Sequence, residues 1–269
     1  MKVRKPSFDL SAVSRYNFGD NAVATHLLNS FHVIVPIGEL YFIRSVRPFL
    51  KEAKSNELKS RLKSFIGQES VHDQVHRQVW NKLREQGLPV DSFARFFSDV
   101  VIKHSESLYN RIFGAKASLS ATVAFEHYTA ALADTLFSPR SRLRASMEGA
   151  MGDLWSWHAA EELEHKSVAF DLLKDVDDNY LLRSAGMAVA TSLLTFFTFF
   201  GAAWFIAGDK ELSLERLSRD LWSLNGVIGE VWPSLANHIA DYLRPDFHPD
   251  QEENYSLAAA ALAELKLAG

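Results

Sequence analysis

Apolar positions along the chain recur three and four residues apart over long stretches, and strand-like alternation is not sustained. The pattern predicts an all-α protein. A first helical region is expected over about 22–50, broken or kinked at Pro36, because proline removes an amide donor and clashes with the preceding turn. A second should run over 56–86, with Ser55 as N-cap and Gly87 and Pro89 as the stop. A third should cover 92–112 and end at Gly114. A fourth is expected over 118–136, closed by "SPRSR", and a long fifth over 144–174.

The segment 184–207, "SAGMAVATSLLTFFTFFGAAWFIA", carries no charge and is long enough to span a bilayer. It reads either as a membrane contact or as a helix buried against the others. Its flanking charges, Arg183, Asp209 and Lys210, fix no orientation. Shorter helices should follow near 211–224 and 231–243, then a polar turn, "RPDFHPDQEEN", and an Ala-rich tail helix. Short-period repeats and low-complexity linkers are absent. One domain over 1–269 is therefore expected, with a bundle core over about 22–174 and a helical extension over 178–269.

Of the 269 residues 47% are hydrophobic, enough for a substantial core, and the net charge is only −4. No basic stripe with interleaved aromatics suggests a nucleic-acid partner. With no cysteine, disulfides, thiolate metal sites and thiol catalysis are excluded, so any metal must be held by His, Asp and Glu. The N-terminus is basic without an apolar core, unlike a secretory signal. Cytoplasm is the expected compartment, with membrane association if 184–207 meets lipid.

One stretch then needs explaining. "WSWHAAEELEHKSVAF" puts two His and three Glu among residues that otherwise read as a buried helix, and such charges are costly to bury unpartnered. Glu162 and His165 lie three apart, on one helix face. Glu69 and His72, in "GQESVHDQVH", repeat the spacing on the second helix. A pair of Glu-x-x-His motifs is what a four-helix bundle offers a dinuclear metal, with one further Glu from each of the other two helices. Glu39, in "PIGELYF", and Glu126, in "TVAFEHY", are the candidates. Each half then reads Glu followed by Glu-x-x-His, with about one helix and a return between them.

The residue types suit the task. Carboxylates bridge and neutralise cations, and imidazoles complete coordination of iron, manganese or zinc. Four Glu balance two divalent ions, whereas four ionised Glu in a metal-free core would be untenable. His158 shares the face of Glu162 and His165, which makes it a candidate third imidazole. Glu161, four before His165, is an alternate ligand. The opposite reading of Glu39 and Glu126 is a core carboxylate paired with Arg44 or a histidine, and that of His158 a core histidine. Asp73 and His76 are candidates to orient ligands. His127 reads as structural, Tyr41 and Tyr128 as packing residues with a redox-active tyrosine as the alternative, and Phe31, Phe42, Trp155 and Trp157 as core with pocket wall as the alternative.

"GELYFIRSVR", "QESVHDQVH" and "HAAEELEHKSVAFDL" resemble a bacterial family of predicted metal-dependent hydrolases within the ferritin-like superfamily. The resemblance covers nearly the whole chain and implies a ferritin-like four-helix bundle. The ligand order also resembles that of the di-iron arylamine N-oxygenases, which use four Glu and three His. Carried over, that pattern falls on Glu39, Glu69, His72, Glu126, His158, Glu162 and His165. Outside these motifs the match is not close enough to carry a substrate.

The expectation is a dinuclear, di-iron enzyme that uses O2 and an electron donor to oxidise a small apolar or aromatic molecule, with Glu39, Glu69, Glu126 and Glu162 as the catalytic carboxylates and a homodimer as the assembly; manganese and zinc are the alternative metals. The alternatives are a hydrolase using water activated by two metals, a ferroxidase-like metal-binding protein, and a purely structural bundle.

Overall fold

The computed structural model describes residues 1–147 and 149–267. Helices account for most of it, in chain order α1 Ala22–Val46, α2 Asn56–Glu85, α3 Val90–Phe97, α4 Ser107–Phe113, α5 Ala115–Phe137, α6 Arg142–Ala145, α7 Gly149–His165, α8 Val168–Val176, α9 Tyr180–Gly208, α10 Leu214–Ser223, α11 Asn225–Tyr242 and α12 Tyr255–Glu264. Among the described residues no strand forms, and a single β-bridge joins Phe18 to Met147. Side-chain caps start α2 at Ser55, as expected, and α1 at Asn21. Ser55 Oγ accepts the Leu58 amide at 2.9 Å, and Asn21 Oδ1 accepts that of Ala24 at 2.8 Å.

Three predicted elements differ from those observed. The first helix is not broken at Pro36; it runs through to Val46 and closes in a 3-10 turn, Arg47–Phe49. Proline at 36 leaves the His32 carbonyl without its helical donor, and the Trp80 indole N–H of α2 supplies the missing bond at 2.6 Å. The third segment is continuous but widens into a π-helix over Ser98–Glu106. There His104 Nδ1 and Ser105 Oγ donate to the carbonyls five residues back, Asp99 and Val100, at 2.6 and 2.9 Å. The long fifth helix is three pieces. Gly149, at φ +56°, occupies the left-handed region at one break. At the other, the buried Lys166 ammonium donates to Asn254 Oδ1 at 2.7 Å and to the Glu252 carbonyl. Apolar periodicity continues across both breaks, which is why it hides them.

Helix α1 packs on α2, α5 on α7, α1 against α5, and α2 against α7 and α8. Helix α9, which holds the uncharged 184–207 segment, lies across α1 and α5. It seats through small residues. A Cβ added to Gly186 would collide with the Ser120 side chain and carbonyl, and Ser120 Oγ donates to the Leu182 carbonyl at 2.6 Å. The outer face is different: Phe196 and Phe199 keep 55% and 53% of their surface exposed. By length and composition α9 is sufficient to cross a membrane, while one of its faces is docked on the protein.

The seating of α9 is testable with glycines. Gly186→Ala should cost about 2 kcal/mol in urea unfolding, the range for overpacking a tight contact. Gly229→Ala in α11, where an added Cβ meets nothing within 4 Å, should be neutral or stabilise by about 0.5–1 kcal/mol. Equal effects at the two positions would show that α9 does not rest on Ser120.

Candidate metal centre

Helices α1, α2, α5 and α7 each turn a carboxylate inward: Glu39, Glu69, Glu126 and Glu162, all buried. The structure brings all seven sequence-predicted residues together. Glu39, His72, His158 and Glu162 each offer a donor atom within 4.8 Å of the others, and so do Glu69, His72, Glu162 and His165. His72 and Glu162 belong to both groups. Glu126 joins through His165, whose Nδ1 lies 2.7 Å from Glu126 Oε2, while its Nε2 faces Glu69 Oε1 at 3.3 Å. Each of the two tetrads is a group that could hold a metal ion.

The hydrogen bonds leave the right atoms free. His72 Nε2 meets Glu161 Oε2 at 3.1 Å, so its proton sits there. Its Nδ1 lone pair then points at Glu39, Glu162 and Glu69, at 3.5, 3.6 and 3.9 Å. That nitrogen has no hydrogen-bond partner, nor do both oxygens of Glu39 and Glu69, Glu126 Oε1 and His165 Nε2. Buried polar atoms are normally satisfied. Here the orphans belong to one buried cluster, which fits cation binding by oxygen and nitrogen donors.

The electrostatics agree. Burial first, and then the neighbouring carboxylates, push Glu39 and Glu69 well above the usual carboxylate range. Burial does the same to Glu126 and lifts Glu162 to about 8. Burial, reinforced by neighbouring imidazoles, depresses His72 and His158. The cluster therefore avoids charge when metal-free, and a cation would displace its protons. Arg44, the alternative partner for Glu39, instead meets Glu106 at 3.2 Å on the surface.

A supporting layer surrounds the donors. Glu161, considered above as an alternate ligand, is instead clamped between His72 and Arg4, whose guanidinium lies 2.9 Å from Glu161 Oε1 and 2.8 Å from Glu164 Oε2. Thr129 Oγ1 donates to Glu162 Oε2, leaving Oε1 for the histidines. His158 Nδ1 lies 3.3 Å from His76 Nε2, and His76 Nδ1 lies 2.8 Å from His32 Nδ1, giving a chain of three buried imidazoles. Asp73 turns away to Arg77. Sequence reasoning missed Arg4, Thr129 and His32. His32 was findable, since it stands seven before Glu39 on the same helical face; Arg4, contacting residues 157 positions away, had no local signal. His127 bonds the His238 carbonyl, Tyr41 the Ser118 carbonyl and Tyr128 the Thr191 hydroxyl.

Two cavities reach the cluster. The larger, about 360 Å³, lies among α1, α5, α7, α9 and α11, and the smaller, about 90 Å³, lies beside the π-helix. Both have His158, Glu162 and Thr129 in their walls.

Fold and site thus define an all-helical protein with buried His and Glu clusters able to hold metal. The chain belongs to a family described as predicted metal-dependent hydrolase, whose sequence model matches residues 2–253. Searches of curated proteins and of solved structures gave no match.

Two outcomes follow from the geometry. His76→Leu removes the group that fixes the His158 ring, and metal affinity should fall about 10–100-fold by titration, the usual cost of losing such a partner. The second concerns pH. The raised Glu162 binds a proton in the folded state that the unfolded chain releases near 4.5, so its contribution is full below that and is lost as pH rises through about 8. The melting temperature of chelator-treated protein should therefore fall between about pH 5 and 8, and Glu162→Gln should flatten the slope. A melting temperature that rises over this range contradicts the assignment.

Proposed function

We propose that the protein is a two-metal hydrolase on a ferritin-like four-helix bundle formed by α1, α2, α5 and α7, with α9 to α12 as additions to one domain. The observation that carries it is the convergence of unpartnered buried atoms from Glu39, Glu69, His72, Glu126 and His165. Membership of the metal-dependent hydrolase family supports the reaction class over the oxygenase expected from the motifs. In this reading Glu39, Glu69, Glu126 and Glu162 hold or bridge the ions, and His72, His158 and His165 complete them. Two divalent ions bound there would supply Lewis acidity and ionise a water near neutral pH.

The chain's own groups do the rest. Glu161 keeps the His72 proton on Nε2 and Nδ1 bare. Thr129 holds one Glu162 oxygen and frees the other. Apolar walls, including Phe31, Val35, Leu132 and Leu194, exclude bulk water from the face where a substrate would meet His158 and Glu162. The cavity walls hold no lysine, and the chain no cysteine, so neither supplies a covalent nucleophile.

Oxygen-dependent oxidation is the second reading, and the donor set favours it. Four carboxylates cancel the charge of two divalent ions, which weakens their Lewis acidity and suits a change of oxidation state. Iron then replaces manganese or zinc as the expected metal, with O2 and an electron donor as partners. The cavities at the cluster support a small-molecule substrate over ion storage. The exposed aromatic face of α9 supports membrane contact.

Metal analysis of protein from cultures supplied with iron, zinc or manganese should find about two ions per chain, and Glu69→Gln or His165→Ala should remove at least half. Ester cleavage under argon with zinc or manganese supports hydrolysis; substrate oxidation with O2 uptake after ferrous loading moves the assignment to the oxidase. Wild-type protein that binds no metal refutes both.

A further inference from the structure

The two cavities meet at the same wall of the cluster. Phe31, Val35, Thr129, Leu132, Glu162 and Leu194 line both, with His158 beside them. The larger extends to a mouth at α11, where Trp232 and Ile228 are exposed. The smaller runs the opposite way, under Gly38 of α1 and Ser105 of the π-helix. No lysine or arginine lines either. Among the described residues the carboxylates and imidazoles of the large cavity are Glu162 and His158, with Tyr128 beside them; the small cavity adds Glu39 and Glu106, the latter paired with Arg44.

We infer that one long, neutral, apolar chain occupies both cavities, its longer part in the large one and a short end in the small one, so that an internal position of the ligand lies against His158 and Glu162. The substrate class is therefore a long-chain neutral compound reacting away from its ends, such as an ester of a long chain with a short group. That meaning rests on the two-metal reading proposed above; the binding itself does not.

The sizes support one ligand over two. An apolar cavity of about 150 Å³ takes a benzene ring, so 360 Å³ takes about 14 carbons and 90 Å³ about 4. The small cavity is too small for a separate aromatic guest, yet it opens at the cluster. The lack of any cation excludes recognition of a carboxylate or phosphate head, since a buried unpaired anion is strongly disfavoured.

The test is binding of straight-chain 1-alkanols of 8 to 20 carbons to the full chain, as purified and again after chelation, read by tryptophan fluorescence, to which Trp155 and Trp232 in the wall contribute. Affinity should rise about fourfold per methylene and level off at about 18 carbons, with one chain bound per protein. Gly38→Leu should move the plateau down by about four carbons. An added Cβ there meets only Phe42, at 4.0 Å, so the backbone accepts it. Ser105→Phe, from the opposite wall, should do the same if Gly38→Leu does not fold. After chelation, alkanoates and alkylammonium ions of equal length should bind at least about tenfold more weakly.

A plateau near 14 carbons that neither variant moves, two chains bound per protein, equal binding of the charged analogues, or no binding at any length each overturn the inference. Chain binding by protein that takes up no metal would refute the two-metal reading while leaving this one standing. Metal uptake without chain binding would do the reverse.

Discussion

Four carboxylates share one buried space, and the rest of the structure answers to that. Two unit charges about 4 Å apart repel by about 4 kcal/mol at the effective dielectric of a protein. Desolvation adds more. Glu39, Glu69, Glu126 and Glu162 come from four helices that converge at one height, so the repulsion is built into the packing. Among the described residues no arginine or lysine forms an ion pair with them; Arg4 goes to Glu161 and Glu164 just outside. A core arranged this way has a natural counter-charge only if something positive arrives from solution.

The ring of supporting contacts makes sense in that light. A metal ligand must present one particular atom, and imidazole and carboxylate each have two. Glu161 resolves the choice for His72, Thr129 for Glu162, and His76 for His158. Each partner comes from a different helix from the group it orients, and Glu161 and Glu162, neighbours on α7, meet the two different nitrogens of His72. Helix packing and donor geometry are therefore coupled: a slip of one helix would misdirect atoms on another.

Much of this was legible in the residue order because helices convert spacing into direction. Glu69 with His72, and Glu162 with His165, share a face by arithmetic, and the all-α pattern follows from apolar periodicity. What stayed hidden depends on contacts that spacing does not encode. Arg4 reaches its partners across the whole fold. Lys166 breaks the last bundle helix by bonding a segment near residue 254, while apolar periodicity runs on undisturbed. The π-helix arises where Ser105 and His104 capture carbonyls, residues unremarkable in sequence. The reaction is less legible still, since the same donor set serves hydrolytic and oxidative chemistry.

Pro36 has a consequence of a different kind. Its ring deletes one bond inside α1, and the carbonyl left over is taken by the indole of Trp80 in α2. A defect in one helix thereby becomes a pin between two, placed about two helical turns from Glu39 and two from His72. The two positions form a single unit of inheritance. A relative that lost the proline would close its own helical bond and leave the indole without an acceptor; one that lost the tryptophan would bury a bare carbonyl. Across the family, positions 36 and 80 should therefore drift together, as a pair whose members have no chemistry of their own.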